Sequence, residues 1–188
     1  MKILEIARPS TISQAKRVLK GAGYDQIGDG RFALVFAKYG DPYVLKLFSN
    51  SDAGYTWFYN YAVTHPSKHF PKFKGVLLRV TNQYSAIRTE RLSELADGEA
   101  SDRIEAVLDD ISYAAEKGRT SINLSDYTLV DDEFINVTLK LARDAIAGGF
   151  GLDLTRYNVM MRGPVCVITD PVLPRYLISA SDPAQSAA

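Results

Sequence analysis

The sequence predicts an α+β protein, with an antiparallel sheet carrying one helix in its first half and a helical region in its second. Three observations predict it. Up to Glu90, short apolar runs alternate with turns rich in Gly, Pro, Asn and Asp, the pattern of antiparallel strands. Beyond Glu90, apolar residues recur at helical spacing over two long stretches. The chain has 188 residues, 46% of them hydrophobic, enough for one domain or two small lobes sharing a cleft.

In order along the chain, Ser10-Thr11 can cap a short helix with Ile12, Ala15, Val18 and Leu19 on one face, and Gly21 and Gly23 end it. A strand from Tyr24 leads into a glycine turn at Gly28-Asp29-Gly30. Phe32, Leu34 and Phe36 then alternate with Ala33, Val35 and Ala37 as in a second strand. After the turn Gly40-Asp41-Pro42, Tyr43–Phe48 makes a third, with Lys46 alone inside an apolar run. Asp52–Thr64 reads as a helix whose aromatic residues serve packing, closed by His65-Pro66. Two strands follow, Phe70–Val80 and Tyr84–Thr89, joined at Asn82-Gln83. Ser101 is placed to cap a helix carrying Ile104, Val107, Leu108, Ile111, Ala114 and Ala115, stopped by Gly118. Residues 119–130 read as a loop with some strand character. Asp131 can cap a second helix, to Ala147, whose apolar residues spread nearly all round as in a buried helix. Residues 179–188 read as a disordered tail.

Composition removes several classes of function. The 22 basic and 22 acidic residues cancel, leaving no electrostatic footprint for nucleic acid or an anionic membrane. No apolar run is long enough to span a bilayer, and the N-terminus lacks the features of a secretory signal. A cytoplasmic protein is expected. Cys166 is the single cysteine, so no internal disulfide forms, and His65, His69 and Cys166 make a poor zinc set.

The chemistry concentrates in Gly151–Asp170. Asp153 and Asn158 stand five positions apart. An apolar hairpin, Val159–Met161 and Val165–Ile168 about a turn at Arg162-Gly163-Pro164, then delivers Asp170. Asp and Asn in turns commonly bond their own backbone, and D-x-x-x-x-N arises often by chance. The same three oxygen-bearing side chains also suit phosphoryl transfer, one carboxylate orienting a nucleophile while an amide oxygen and a second carboxylate hold Mg²⁺. Lys46 needs a negative partner or must snorkel, and a phosphate would serve. The glycines allow backbone N–H groups to approach phosphate oxygens; an ordinary hairpin with an edge lysine fits those residues as well.

Glycine turn, strand lysine, helix, two strands, connector, buried helix, D-x-x-x-x-N, hairpin and Asp is an order that resembles the protein kinases, over roughly Tyr24 to Asp170. Gly28-x-Gly30-x-Phe32-Ala33-x-Val35 resembles the glycine-rich loop, with Ala33 where a third glycine usually stands. Val44-Leu45-Lys46 resembles V-A-I-K, Thr89-Glu90-Arg91-Leu92 the gatekeeper and hinge, and Asp170-Pro171-Val172 stands where D-F-G would be. The Asp52–Phe58 helix start and Ile168-Thr169-Asp170-Pro171-Val172 are similar to the early serine/threonine kinases of short-tailed bacteriophages. Two departures stand out. Gly151-Leu152 replaces the H-R that precedes the catalytic Asp, and no A-P-E follows Asp170. Activity without prior activation is therefore expected. The helix after Lys46 also has no obvious glutamate to pair with it.

The resemblance implies a two-lobed fold, with residues 1–90 as the N-terminal lobe and 91–178 as a minimal, truncated helical lobe. It implies ATP and Mg²⁺ as cofactors and host proteins as substrates. Asp153 would orient the acceptor hydroxyl, Asn158 and Asp170 would hold Mg²⁺, and Lys46 would contact the α/β-phosphates. Gly28, Asp29, Gly30, Arg31, Phe32 and Val35 would cover the nucleotide, with backbone groups near Glu90 and Leu92 taking adenine. Arg156 is a candidate for neutralising γ-phosphate charge or a plain surface arginine. Two alternatives stay open: a small-molecule kinase of the aminoglycoside type, and a non-catalytic kinase-fold protein that blocks a host factor. Dimerisation, or burial by residues 174–178, would close the core of so short a helical lobe.

Overall fold

The structure is a computed structural model that describes residues 1–122 and 130–174. The expected disordered tail, most of the segment 174–178 and most of the expected loop 119–130 lie outside those residues. The fold is α+β, as expected, and the chain divides into two compact units: Met1–Asp52 with Lys72–Arg91, and Ala53–Pro71 with the residues from Leu92 onward. No helix among the described residues is long and apolar enough to cross a membrane.

The first unit is a five-stranded antiparallel sheet with two short helices. Helix α1 is Lys2–Ala7 and α2 is Ile12–Gly21; the strands are β1 Tyr24–Asp29, β2 Ala33–Lys38, β3 Tyr43–Ser49, β4 Phe73–Arg79 and β5 Tyr84–Glu90, in the order β1-β2-β3-β5-β4. Thr11 caps α2, its hydroxyl accepting the Gln14 N–H, a cap that contributes about 1 kcal/mol. The α1 helix has no capping side chain and was not legible in the sequence. Its Leu4 joins Ala15 and Leu19 of α2 against Phe36, Leu45, Leu47 and Ala86 of the sheet. Side chains alternate along a strand, so Leu45 and Leu47 facing the helices put Lys46 on the opposite face.

The second unit begins with the aromatic helix α3, Ala53–Thr64, continues through β6 Ser93–Glu94, α4 Glu99–Glu116 and α5 Asp132–Ala147, and ends in four short strands: β7 Phe150–Leu152, β8 Val159–Arg162, β9 Val165–Ile168 and β10 Val172–Pro174. Its core joins Ile104, Leu108 and Ile111 of α4 to Phe134, Ile135 and Leu139 of α5, with Leu154, Val159, Cys166 and Ile168 packed on them. The aromatic residues of α3 do serve packing: Trp57 stacks on Tyr61 at 5.0 Å and lies 5.5 Å from Phe150, and Phe58 meets Phe70 edge-on at 5.9 Å. A Cβ on Gly54 would stand 2.3 Å from the Val172 carbonyl oxygen, so only glycine lets α3 approach β10 this closely.

Two local expectations are corrected. The residue capping α4 is Gly98; Ser101 lies inside the first turn, where its buried hydroxyl accepts the Gly98 N–H at 3.1 Å and donates to the Gly98 carbonyl at 2.8 Å. Helix α5 is one-sided, because Asp132, Glu133, Asn136 and Lys140 stay exposed while Phe134, Ile135, Thr138, Leu139, Leu141, Ala142 and Ala145 are buried. Its cap is as expected, with an Asp131 carboxylate oxygen accepting the Phe134 N–H at 2.9 Å.

Candidate active site

In the second unit, the turn from Asp153 to Asn158 is set by backbone bonds before any side chain acts. β7 and β10 pair antiparallel, Leu152 opposite Val172. Asp153 N–H then donates to the Pro171 carbonyl at 2.8 Å. A single 3₁₀ turn, Arg156–Asn158, returns the chain into β8, and β8 pairs with β9 from Val159–Ile168 to Arg162–Val165, with Gly163 at φ 58° allowing the hairpin to close. Thr169 closes the circuit: its N–H and hydroxyl both donate to the Asn158 carbonyl, at 2.8 and 3.1 Å. The two residues flanking Asp170 are thus bonded one to Asp153 and one to Asn158. Asp153, Asn158 and Asp170, seventeen positions apart at the extremes, share one place for that reason.

The side chains add to this wiring. The Asn158 amide nitrogen donates to the Asp153 carbonyl at 2.8 Å and to its carboxylate Oδ2 at 2.9 Å. Both partners can only accept, so they fix which end of the amide is nitrogen and leave Oδ1 as an oxygen ligand turned away from Asp153. Burial pushes the Asp153 carboxyl above the usual carboxylate range; the Asn158 amide opposes that, and the charge of Asp170 adds to it. A half-buried carboxylate with a raised proton affinity, held by an amide beside a second carboxylate, can accept a hydrogen bond from a hydroxyl and take its proton. Asn158 Oδ1 and the Asp170 carboxylate are hard oxygen donors of the kind Mg²⁺ takes, so the residues fit that ion.

Arg156 is not turned to this centre. Its guanidinium pairs with Asp102 of α4 at 2.7 Å and lies over the Tyr157 ring, and its N–H donates to the Glu105 carboxylate. The arginine ties the 3₁₀ turn to α4, a contact 54 residues distant in sequence that spacing could not reveal. A pocket of about 380 Å³ opens on the same side, lined by Glu94, Leu95, Asp97, Ser101, Arg156, Tyr157, Val159 and Met160. It does not include Asp153, Asn158 or Asp170.

In the first unit, strand register puts three of the candidate residues in one row. Gly28 stands opposite Val35, Val35 opposite Lys46, and Lys46 opposite Ile87. Directly opposed residues project on the same face, so Val35 and Lys46 share it, and a Cβ on Gly28 would meet the Val35 Cβ at 3.3 Å. The register shifts by one between Gln26 and Gly28, a bulge that turns the strand end. Asp29, Gly30 and Arg31 are exposed at the tip, closed by a bond from Gly30 N–H to the Ala33 carbonyl at 2.8 Å, and the Arg31 guanidinium lies over the half-buried Phe32 ring at 5.2 Å. Glu90 ends β5, where its N–H donates to the Lys72 carbonyl at 2.9 Å and its carboxylate accepts the Lys72 N–H at 2.7 Å. The Glu90 N–H is therefore already used. Leu92, half-buried, opens the second stretch of the second unit.

No family model matches the sequence, and no curated protein matches it. Among solved structures, the fold is similar to the Cydia pomonella granulovirus kinase PK-1, at 16% identity and a TM-score of 0.41 over 84% of this chain and 57% of that one. It is similar to Rad53 residues 1–466 in complex with AMP-PNP, at 14% identity and a TM-score of 0.41 over 85% of this chain and 42% of that one. It is also similar to aminoglycoside phosphotransferase APH(4)-Ia, at 15% identity and a TM-score of 0.43 over 86% of this chain and 73% of that one. The chain thus spans less than two thirds of the first two proteins. Likenesses this distant carry no argument about function, which rests on the residues themselves.

Proposed function

We propose that this chain is an ATP-dependent protein kinase of the phage type, transferring the γ-phosphoryl group to serine or threonine hydroxyls of host proteins. The observation that carries the reading is the wiring of Asp170 between Asp153 and Asn158, through the Pro171 carbonyl and the Thr169 N–H and hydroxyl. Two carboxylates and an amide oxygen, fixed by backbone before a ligand arrives, form what phosphoryl transfer needs: positioning and charge stabilisation with little covalent work.

In this reading Asp153 accepts the hydrogen bond of the acceptor hydroxyl, orients it toward the phosphorus and takes its proton as the new P–O bond forms and the bond from the γ-phosphorus to the bridging oxygen breaks, leaving ADP. Asn158 and Asp170 would hold Mg²⁺, which neutralises charge on the phosphoryl oxygens. Lys46 would contact the α- and β-phosphates, and the Gly28–Phe32 turn, with Val35 beneath it, would cover the nucleotide. Adenine would be met by backbone groups about Glu90 and Leu92 other than the Glu90 N–H. Leu152, standing before Asp153 in β7, cannot pair with a phosphorylated loop, so activity without prior phosphorylation follows.

Incubation of the purified chain with Mg²⁺, γ-labelled ATP and bacterial lysate tests this. Label on proteins at serine and threonine is the expected outcome. Label in small molecules alone would favour the aminoglycoside type of kinase, and no transfer at all would overturn the catalytic reading.

A further inference from the structure

Residues 68–70, between α3 and β4, grip the hairpin that carries Asp170. His69 is 2% exposed. Its ring Nδ1 lies 2.8 Å from the Cys166 carbonyl oxygen, which can only accept, so Nδ1 carries the hydrogen. Its backbone carbonyl accepts the Ile168 N–H at 2.9 Å. One residue thus holds β9 twice, at Cys166 and at Ile168. Arg162, closing β8, completes the grip by donating to the Lys68 carbonyl at 2.5 Å and the Phe70 carbonyl at 3.0 Å. Two groups pack behind the ring. Its Nε2 faces Asp131 Oδ1 at 2.9 Å, outside the alignment of a hydrogen bond, and the Phe134 ring meets it edge-on at 5.4 Å. Asp131 is in turn fixed as the cap of α5 and paired with Lys68 at 2.6 Å.

We propose that His69 is a positioning residue for Asp170: through Cys166 and Ile168 it fixes the end of β9, and so the direction in which the second carboxylate leaves the strand two residues later. This rests on the phosphotransferase reading of the Asp153–Asn158–Asp170 centre. The backbone of β9 is paired on one side with β8. On its other side, Cys166 and Ile168 find their partners in His69. A displacement of about 1 Å at a site of this kind can lower a rate by up to about 10²-fold.

Three variants test it. In His69→Asn the amide N–H stands about where Nδ1–H does. In His69→Gln it reaches toward the position of Nε2, and His69→Leu fills the space without a donor. Expected are a kcat within about twofold of wild type for Asn, a kcat lowered about tenfold for Gln and Leu, and a raised Mg²⁺ concentration for half-maximal rate in those two, with KM for the acceptor unchanged. A second readout needs no nucleotide: exchange of the Ile168 amide, followed by NMR, is expected to quicken in Gln and Leu and to stay slow in Asn. Equal kcat and Mg²⁺ requirement in all three variants, or an Ile168 amide as protected in Leu as in wild type, would overturn the proposal. Should Leu fail to fold, Asn against Gln decides it by the same measures. If the wild-type chain transfers no phosphate, the phosphotransferase reading falls, and Ile168 exchange alone judges whether His69 holds the strand.

Discussion

The turn at Asp153–Asn158 and the turn at Asp29–Phe32 are built on opposite plans. The first is cross-linked on every side: Asp153 N–H donates to the Pro171 carbonyl, Thr169 donates to the Asn158 carbonyl, and the Asn158 amide nitrogen donates to both the Asp153 carbonyl and its carboxylate. The second is closed by the Gly30–Ala33 backbone bond and tied at its end by the Ser49 N–H donating to the Phe32 carbonyl, with its tip exposed and a bulge at its base. The difference teaches which half of the proposed chemistry is fixed in advance. Charged groups that must meet a transition state are held by backbone, where reorganisation would cost rate. A cover that only has to follow a ligand's shape can be held by fewer cross-links at its exposed tip.

The largest effect should come from breaking the fixed turn's charge. Asp170→Asn keeps shape and hydrogen-bonding size but removes the negative charge that Mg²⁺ requires, and transfer should fall by about 10²–10³ or more with the melting temperature little changed. Transfer at near wild-type rate would remove Asp170 from the mechanism. Lys46→Ala comes next. Lys46 shares a sheet face with Val35 and lies opposite the face that α1 and α2 cover, so folding should survive while ATP affinity and rate drop by about 10² together. An unfolded variant whose folded fraction binds ATP normally would make Lys46 structural.

Asp153→Asn sharpens the comparison through pH. The Asp153 carboxyl titrates above the usual carboxylate range in the folded chain, so its ionised form costs stability above that titration and the cost fades as pH falls and the group is protonated. The variant should therefore melt higher than wild type at pH 7.5 and the gap should close toward acid, measured by calorimetry at several pH values. The same titration predicts that wild-type kcat falls on acidification as the base is protonated. A gap that widens in acid would contradict the assigned cause. The smallest effect belongs to the open turn. Gly30 has an ordinary φ, and a Cβ there would come no closer than 3.7 Å to the Ala33 oxygen. Gly30→Ala should leave the melting temperature unchanged and weaken nucleotide binding only a few-fold. A loss of several degrees would show that this turn is as tightly packed as the other.

Much of this was legible in the sequence because it depends on local rules. Alternation and turn residues located the strands, Thr11 and Asp131 announced helix starts, and Asp153, Asn158 and Asp170 stood out as polar groups bracketing an apolar hairpin. What was not legible depends on partners far away in the chain. Strands of three residues, β7 and β10, carry too little pattern to detect, yet their pairing sets Asp153 against Pro171. Arg156 looked available for phosphate until Asp102 and Glu105 of α4 came beside it. His69 was weighed as a poor zinc ligand, and its bond to Cys166 spans 97 residues. Ser101 had the right side chain for a cap, but Gly98 took the role because it adopts φ 131° there, a backbone conformation other residues rarely reach.

The close seat of Gly54 under the Val172 carbonyl has a consequence for how the protein can be cut and made. The chain leaves its first unit after Asp52, returns at Lys72, and leaves again after Arg91. A fragment ending at Arg91 would hold the whole five-stranded sheet, yet it would also carry α3 stripped of β10 and Trp57 stripped of Phe150. On the ribosome the same exposure is unavoidable for a time, since the aromatic helix emerges more than a hundred residues before the strand it waits for. A split-protein pair or a domain swap would therefore do better to move residues 53–71 with the C-terminal piece than to divide the chain at the apparent boundary.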